Sequence, residues 1–190
     1  MIEDFRDGFL SLNTRQFGRV AELIVQLLQD YGDSNKLEFD LLSLDTGEKI
    51  EVKAARVYKK QALDLSLDSL YDTIINNSNR NRLLKQKQAP KAKFDCNIQQ
   101  IKRQYFDKLY YLLLFYDKIE IFSISPNDIV ADTKIGYSDK QHRGNVGEGQ
   151  FHITPKNYPH HKEHYFIESV SYTQLKKMLL QRKRTASKSK

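Results

Sequence analysis

Seven consecutive apolar or aromatic residues, 110–116, constrain the fold of this chain more than any other feature. A strand with one face in water alternates apolar and polar residues, so a run without alternation indicates a strand buried on both faces. Such a strand lies at the centre of a sheet that has covering layers on either side. A tight connection at Asp117-Lys118 leads to a second strand over 119–124. Because helical segments accompany these strands, the sequence predicts an α/β fold with a mixed central sheet flanked by helices.

The size and composition of the chain fit one globular domain. Its 190 residues are 39% hydrophobic and 29% charged, which allows a substantial core and does not fit a disordered or fibrous protein. No run of 18 apolar residues occurs, and the N-terminus lacks the plan of a signal peptide. We therefore expect a cytoplasmic protein that makes no membrane contact. The single cysteine, Cys96, excludes an intrachain disulfide and a cysteine-rich zinc site.

The net charge favours a polyanionic partner. Lys and Arg number 31 against 24 Asp and Glu, which gives a net charge of +7 and a pI near 9.3. Basic proteins attract phosphate-rich polymers by long-range electrostatics, so a nucleic acid is the expected partner. Many basic proteins bind no nucleic acid, and charge alone therefore assigns no function.

The most convincing helix is predicted over 14–31. Phe17, Ile24 and Leu28 are among the apolar residues that recur there at the spacing of one helical face. Glu22 lies nearly opposite this stripe on a helical wheel at about 100° per residue. The wheel therefore favours a solvated side chain for Glu22.

Further helices are predicted in three segments: 63–75, 94–101 and 171–181. The last begins with a capping box, in which Ser171 and Gln174 satisfy each other's backbone N–H groups. Residues 182–190 are basic and poor in core residues, which indicates a disordered tail.

A β-hairpin is predicted over residues 36–55. Two arms rich in apolar, β-favouring residues flank the sequence Asp45-Thr-Gly-Glu48, which has the chemistry of a turn. The simplest register places Leu44 opposite Lys49, and therefore 42 opposite 51 and 40 opposite 53. One face of the hairpin then carries apolar side chains that suit a core: Phe39, Leu41, Ile50 and Val52.

The other face of this hairpin carries charge. The same register brings Asp40, Glu51 and Lys53 to that face, with the two carboxylates as diagonal neighbours. Charges on a partly covered surface are costly unless they are paired or bound to a cation. Two acids beside a lysine form a site for a hard divalent cation next to a group that assists proton transfer. A solvated hairpin with ion pairs would use the same three residues, so both interpretations stay open at this point.

These residues resemble the signature of the PD-(D/E)XK nuclease superfamily, which is an acid, a gap of variable length, and then acid-x-Lys on the neighbouring strand. Asp40 and Glu51-Val52-Lys53 match it, with Phe39 where the name of the superfamily has Pro. The resemblance implies that Asp40, Glu51 and the backbone carbonyl of Val52 bind Mg²⁺. It also implies that Lys53 orients or activates the attacking water.

The resemblance extends to the order of elements. Helix, hairpin, helical region and two further strands match a restriction-endonuclease-like core over about 14–125, although only the hairpin matches residue by residue. The superfamily often places a further acid on the first helix, which makes Glu22 a candidate third metal ligand. The helical wheel favours the solvated alternative.

Basic segments follow the hairpin. One basic segment lies at the end of the second hairpin arm. The other covers 76–93, which is polar and almost free of acids. Lysine and arginine neutralise phosphates without reading sequence, so we predict DNA-backbone contacts for both segments. The residues concerned are Lys59, Lys60, Arg80, Arg82, Lys85 and Lys87. A solvated charge run is the alternative for either segment.

A polar loop is predicted over 137–150. It contains three glycines, which allow close backbone approach to a ligand, and several side chains of the types that read base edges. The base-reading candidates are Gln141, His142, Arg143 and Asn145. Long loops without structure are uncommon in compact domains unless they serve a function, so we predict the sequence-recognition element here. For the histidines at 160, 161 and 164 we predict a polar, DNA-facing loop rather than a zinc site.

Together, the resemblance and the charge predict a Mg²⁺-dependent Type II restriction endonuclease that cleaves double-stranded DNA at a short sequence. We expect one nuclease domain over 1–181, with recognition and C-terminal elements over 126–181, and a homodimer. A Holliday-junction resolvase or another repair nuclease of the superfamily is the first alternative. A DNA-binding module without catalysis is the alternative from another class.

Overall fold

The computed structural model describes residues 1–60, 66–140 and 147–186. Its α-helices are α1 (Ile2–Leu10), α2 (Thr14–Gln29), α3 (Leu70–Asn76), α4 (Asn79–Arg82), α5 (Tyr158–His164) and α6 (Tyr172–Ala186). Its strands are β1 (Gly32–Asp33), β2 (Leu41–Leu42), β3 (Lys49–Arg56), β4 (Cys96–Ile101), β5 (Lys108–Leu114), β6 (Lys118–Ile124), β7 (Tyr137–Ser138), β8 (Gly149–Ile153) and β9 (Phe166–Ser171). No helix in the described ranges is long and apolar enough to cross a membrane.

The strands form two sheets. The larger has six strands in the order β1-β2-β3-β5-β6-β9, and the smaller is β4-β8-β7. Strand β3 runs parallel to β5, whereas β5 pairs antiparallel with β6, so the large sheet is mixed. The structure therefore confirms a mixed α/β arrangement in which a mixed sheet is flanked by helices.

Strand β5 is buried on both faces, as its uninterrupted apolar sequence predicts. Leu109, Tyr111 and Leu113 belong to one core cluster. Tyr110, Leu112 and Leu114 belong to the other, where side chains of α1, α2 and α6 pack on the large sheet. The first cluster lies between the large sheet, the small sheet and α5. Burial of one such side chain contributes roughly 1.5–3 kcal/mol, so β5 is the main anchor of the fold.

The predicted hairpin forms, but its predicted register is wrong by two residues. Leu42 pairs with Lys49 rather than with Glu51, and Ser43 N donates to Glu48 O at 3.0 Å, which closes a turn one residue earlier than expected. Gly47 ends this turn with φ +72°, a conformation that glycine adopts at little cost. Because the shift is even, the side chains of β2 and β3 keep their predicted faces. The first arm is nevertheless a strand only at Leu41–Leu42, and Phe39, which was predicted to face the core, is only partly buried because it precedes that strand.

Two predictions of secondary structure are only partly correct. In the described residues the helix predicted over 63–75 forms only as α3, which begins at Leu70. The loop predicted over 137–150 is shorter, because 137–138 form β7 and β8 begins at Gly149.

Three other predictions are wrong. Residues 96–101 form strand β4 rather than a helix, since Cys96 and Ile98 face the core at strand spacing and β4 pairs with β8. Helix α5 replaces the predicted histidine loop, and Pro159 lies in its first turn, where its missing N–H has no cost. The capping box at Ser171 and Gln174 is confirmed. Helix α6 nevertheless continues through 182–186, where a disordered tail was expected.

His161 is fully buried and links strand β5 to the turn that precedes β7. Its Nε2 lies 3.0 Å from Ile135 O, a group that can only accept, so Nε2 donates this hydrogen bond. Its Nδ1 then accepts from the Tyr111 hydroxyl at 2.6 Å. Both ring nitrogens are satisfied by the neutral imidazole, and burial lowers the pKa of His161 to about 4. A metal-binding role for this histidine does not fit these contacts.

The buried His161 predicts acid sensitivity. The unfolded chain takes up a proton near the ordinary pKa of 6.5, whereas the folded chain resists protonation until about 4. The free energy of unfolding should therefore fall as the pH decreases from 6.5 to 4, by up to about 3 kcal/mol from this group. Urea unfolding at several pH values in this window measures the slope.

The pH dependence of the free energy of unfolding is compared in wild type, His161→Gln and His164→Gln. In His161→Gln the slope should be smaller than in wild type, because the titrating group is gone. In His164→Gln, which changes an exposed histidine on the same helix, the slope should stay. Equal slopes in wild type and His161→Gln would show that His161 does not titrate as its burial requires.

Candidate functional site

Asp40, Glu51 and Lys53 meet where β2 begins, at the margin of the large sheet. Asp40 N donates to Ile50 O at 2.9 Å, and Leu41 pairs with the same residue, so Asp40 and Leu41 both lie opposite Ile50, next to Glu51 on β3. Asp40 Oδ2 accepts a hydrogen bond from Val52 N at 2.8 Å. The carboxylate of Asp40 therefore bends over the backbone of β3 between the two other functional residues.

The carbonyl of Val52 points to the same edge as this carboxylate. In an antiparallel ladder the N–H and C=O groups of one residue face the same neighbouring strand. Ile50 O and Val52 N both face the side of Asp40, and strand alternation therefore directs Val52 O there as well. The short β2, only two residues long, leaves this edge of β3 to the Asp40 side chain instead of a further backbone partner.

Glu51 and Lys53 form a partly buried ion pair between Oε1 and Nζ. Their side chains are 13% and 24% exposed. Burial raises the pKa of Glu51, the ammonium of Lys53 opposes that rise, and the negative charges of Asp40 and Glu22 add to it. The site thus holds more acid charge than its one ammonium offsets, which a bound cation would correct.

Glu22 lies beside the site and is not solvated as the helical wheel predicts. Its side chain is 19% exposed and accepts from Arg19 Nη1 at 2.7 Å. Burial raises the pKa of Glu22, Arg19 opposes the rise, and Asp40 adds to it, so the Asp40 charge is near. The wheel fails because Ala21 and Val25 are buried on α2, which turns the packed face of the helix toward Glu22.

Arg19 was missed by the sequence analysis. Its Nη2 donates to Asp33 Oδ1 at 2.9 Å while Nη1 binds Glu22, so it ties α2 to the edge strand β1. The spacing of Arg19 and Glu22, three residues on one helix, is a signal that could have found it. The link to Asp33 is not readable from the sequence because β1 has only two residues.

The donor set fits Mg²⁺. Two carboxylates and a backbone carbonyl are hard oxygen donors, and Mg²⁺ typically takes one or two protein carboxylates while it keeps water and phosphate ligands. Across 1–60, 66–140 and 147–186 no group of three or more His, Cys, Asp or Glu side chains could hold a metal ion. Glu22 therefore does not join Asp40 and Glu51 as a third ligand in this arrangement.

The basic residues after the hairpin lie beyond the carboxyl end of β3. Lys59 and Lys60 are exposed, and Lys59 follows Lys53 by six residues, which places it up to roughly 20 Å farther along an extended chain. Arg82 lies over the ring of Tyr58 at 4.3 Å, and Arg80 is exposed on α4. These cations therefore lie beyond the end of β3 and not among Asp40, Glu51 and Lys53.

The four base-reading candidates, Gln141, His142, Arg143 and Asn145, lie outside the described residues. Among the histidines, His160 and His164 lie in contact on α5, with tilted rings whose centroids are 4.2 Å apart, whereas His161 faces the core. Comparison of the sequence with protein-family models and with curated proteins found no match.

Proposed function

We propose that this protein is a Mg²⁺-dependent endonuclease that hydrolyses phosphodiester bonds of double-stranded DNA. The observation that carries the proposal is the convergence of Asp40, Glu51, Lys53 and the Val52 backbone at one edge of β3. Asp40 reaches Val52 N at 2.8 Å, and Glu51 pairs with Lys53. The excess of positive charge on the chain, +7, supports a polyanionic substrate.

The residues of the site have separable tasks in hydrolysis. Asp40, Glu51 and the Val52 carbonyl would hold Mg²⁺, which offsets charge on the scissile phosphate and lowers the pKa of bound water. The ammonium of Lys53, held in place by Glu51, donates hydrogen bonds to the attacking water or to the phosphate oxygens and stabilises the charge that develops there. The water oxygen bonds to phosphorus, the bond to the 3′ oxygen breaks, and that oxygen takes up a proton.

A Type II restriction endonuclease is the form of this activity that we favour. The small sheet and α5 lie outside the elements that build the site. They are the elements that we expect to contact the base edges of the recognised sequence. One chain carries one Asp40–Glu51–Lys53 site in its described part, and a duplex has two strands to cut, so we expect a homodimer. A Holliday-junction resolvase remains the alternative within the superfamily.

The cheapest test is a supercoiled plasmid incubated with the protein in Mg²⁺ and in EDTA. Discrete linear fragments in Mg²⁺ alone support the restriction enzyme. Selective cutting of four-way junctions over plasmid supports the resolvase. A shift of DNA mobility without cutting in any divalent ion contradicts the nuclease and supports the DNA-binding module, for which the basic segments suffice.

Metal binding should depend on the carboxylates and not on the histidines. In calorimetric Mg²⁺ titrations, Asp40→Asn should lose the binding heat, because an amide lacks the charge that attracts Mg²⁺. His160→Ala, which removes the histidine in contact with His164, should keep it. Zinc bound in stoichiometric amount and lost in His160→Ala would contradict this assignment.

A further inference from the structure

A basic pocket lies beyond the carboxyl end of β5, apart from the Asp40–Glu51–Lys53 site. It is a cleft of about 450 Å³ between α1, the start of α6 and the turn after β5. Arg6, Lys85 and Lys87 contribute three cations to its lining, and Asp117 contributes one acid. The lining of the pocket therefore carries more positive than negative charge. It contains none of the residues of the Asp40–Glu51–Lys53 site.

Two acids near this pocket are already engaged. Asp117 Oδ1 accepts from Gln86 N at 2.8 Å, and Asp7, on α1, accepts from Arg6 Nε at 2.9 Å. Glu3, also on α1, acts electrostatically on Arg6 as well, so the excess of positive charge belongs to the lining itself, where three cations accompany one carboxylate. Lys85 and Lys87 are exposed, so their ammonium groups are available to a ligand that enters from solvent.

Arg6 is built into the wall rather than solvated. Its guanidinium lies 4.1 Å from the ring centroid of Tyr116, and its side chain is only 14% exposed. Its Nη2 is buried and has no hydrogen-bond partner among the residues that the structure describes. A buried donor without an acceptor is costly, and a guanidinium fixed on an aromatic ring is well suited to phosphate.

The N-terminus of α6 adds to the positive electrostatic potential in the pocket. Ser171 and Gln174 cap the helix, and Thr173 in its first turn lines the pocket. The positive end of a 15-residue helix favours an anion nearby. This contribution supplements the three cations and would not define a site without them.

We propose that this pocket binds a backbone phosphate of the DNA strand, away from the cut. The proposal rests on the proposed function for the identity of the strand. Lys53 pairs with Tyr111, whereas Tyr116 lies beyond the end of β5, in the connection to β6. The pocket is therefore separate from the Asp40–Glu51–Lys53 site.

Binding titrations without Mg²⁺ test the pocket independently of cleavage. We would measure the affinity for a 30-base-pair duplex across a range of NaCl concentrations, in Ca²⁺, for wild type, Arg6→Gln, Lys87→Gln and Lys177→Gln. Arg6→Gln and Lys87→Gln should each lower the slope of log K against log salt by roughly one. Lys177→Gln changes an exposed cation one turn further along α6 and should leave the slope unchanged. Unchanged slopes in both pocket variants would overturn the proposal.

A second arm separates the sources of phosphate. Thermal unfolding is measured in inorganic phosphate and in chloride at equal ionic strength. If phosphate stabilises wild type and the DNA slopes also fall, a strand phosphate occupies the pocket. If phosphate stabilises wild type and the slopes do not fall, the pocket takes a free phosphate compound and the strand assignment is wrong.

The two proposals can fail separately. Lowered slopes with an uncut plasmid would support the pocket and contradict the nuclease. A cut plasmid with unchanged slopes would do the reverse. Should Arg6→Gln fold poorly, Lys87→Gln, at an exposed position, decides the outcome.

Discussion

Glu51→Gln and Lys53→Met should each lower the single-turnover rate of DNA cleavage by at least a hundredfold and still bind DNA. Loss of the Glu51 charge removes a metal ligand and the partner that holds Lys53. Loss of the ammonium removes a donor whose contribution is realised in the transition state, and groups of this kind typically contribute 10²–10⁴-fold. A hundredfold loss corresponds to about 3 kcal/mol of barrier.

Binding and a matched acid provide the controls. Glu51→Gln should bind DNA without metal at least as tightly as wild type, because one negative charge that repels phosphate is gone. Asp45→Asn changes an exposed acid in the turn of the same hairpin and should cleave at the wild-type rate. The site assignment is wrong if both active-site variants keep more than about a tenth of wild-type cleavage, less than ~1.4 kcal/mol of barrier.

Lys162→Met should be the most destabilising of the proposed changes away from the site. Glu120 is 2% exposed, its Oε1 lies 3.0 Å from Lys162 Nζ, and its Oε2 accepts from the Tyr158 hydroxyl at 2.6 Å. Removal of the ammonium leaves a carboxylate buried without its counter-charge, which typically costs 3–5 kcal/mol. Because Lys162 is 29% exposed, we expect about 3 kcal/mol in urea unfolding.

A second substitution identifies the cause. Adding Glu120→Gln to Lys162→Met removes the buried charge and keeps an acceptor for Tyr158, so most of the lost free energy of unfolding should return. Lys156→Met, which changes an exposed lysine just before α5, should cost less than about 0.5 kcal/mol. If the double variant is as unstable as Lys162→Met alone, the lost free energy comes mainly from the contact of Lys162 with Phe166, whose ring centroid lies 3.1 Å from Nζ.

The parts of the fold that follow from local pattern could be predicted. Residues 110–116 contain no polar break, so burial of β5 on both faces was readable. The alternation along 50–53 fixed which side chains share a face, and an even error in register does not alter that result. Asp40 and Glu51 were therefore placed close together, although the hydrogen bond from Val52 N to the Asp40 carboxylate was not foreseen.

The features that depend on distant contacts could not be predicted. Segment 94–101 has an ambiguous pattern, and its strand conformation comes from pairing with β8. The burial of Glu22 depends on how α2 rotates against β3, and the burial of His161 depends on Tyr111 and Ile135, which are far from it in sequence. None of these partners is signalled by residues within a few positions, so local spacing gave the wrong environment.

The most direct test of the account is cleavage of one supercoiled plasmid by wild type and Asp40→Asn, purified in the same way, each in Mg²⁺ and in EDTA. Asp40 is the acid that contacts the backbone of Val52, and its replacement by an amide keeps shape while it removes charge. We expect linear product only for wild type in Mg²⁺. Cleavage by Asp40→Asn at the wild-type rate, or cleavage by either protein in EDTA, would contradict it.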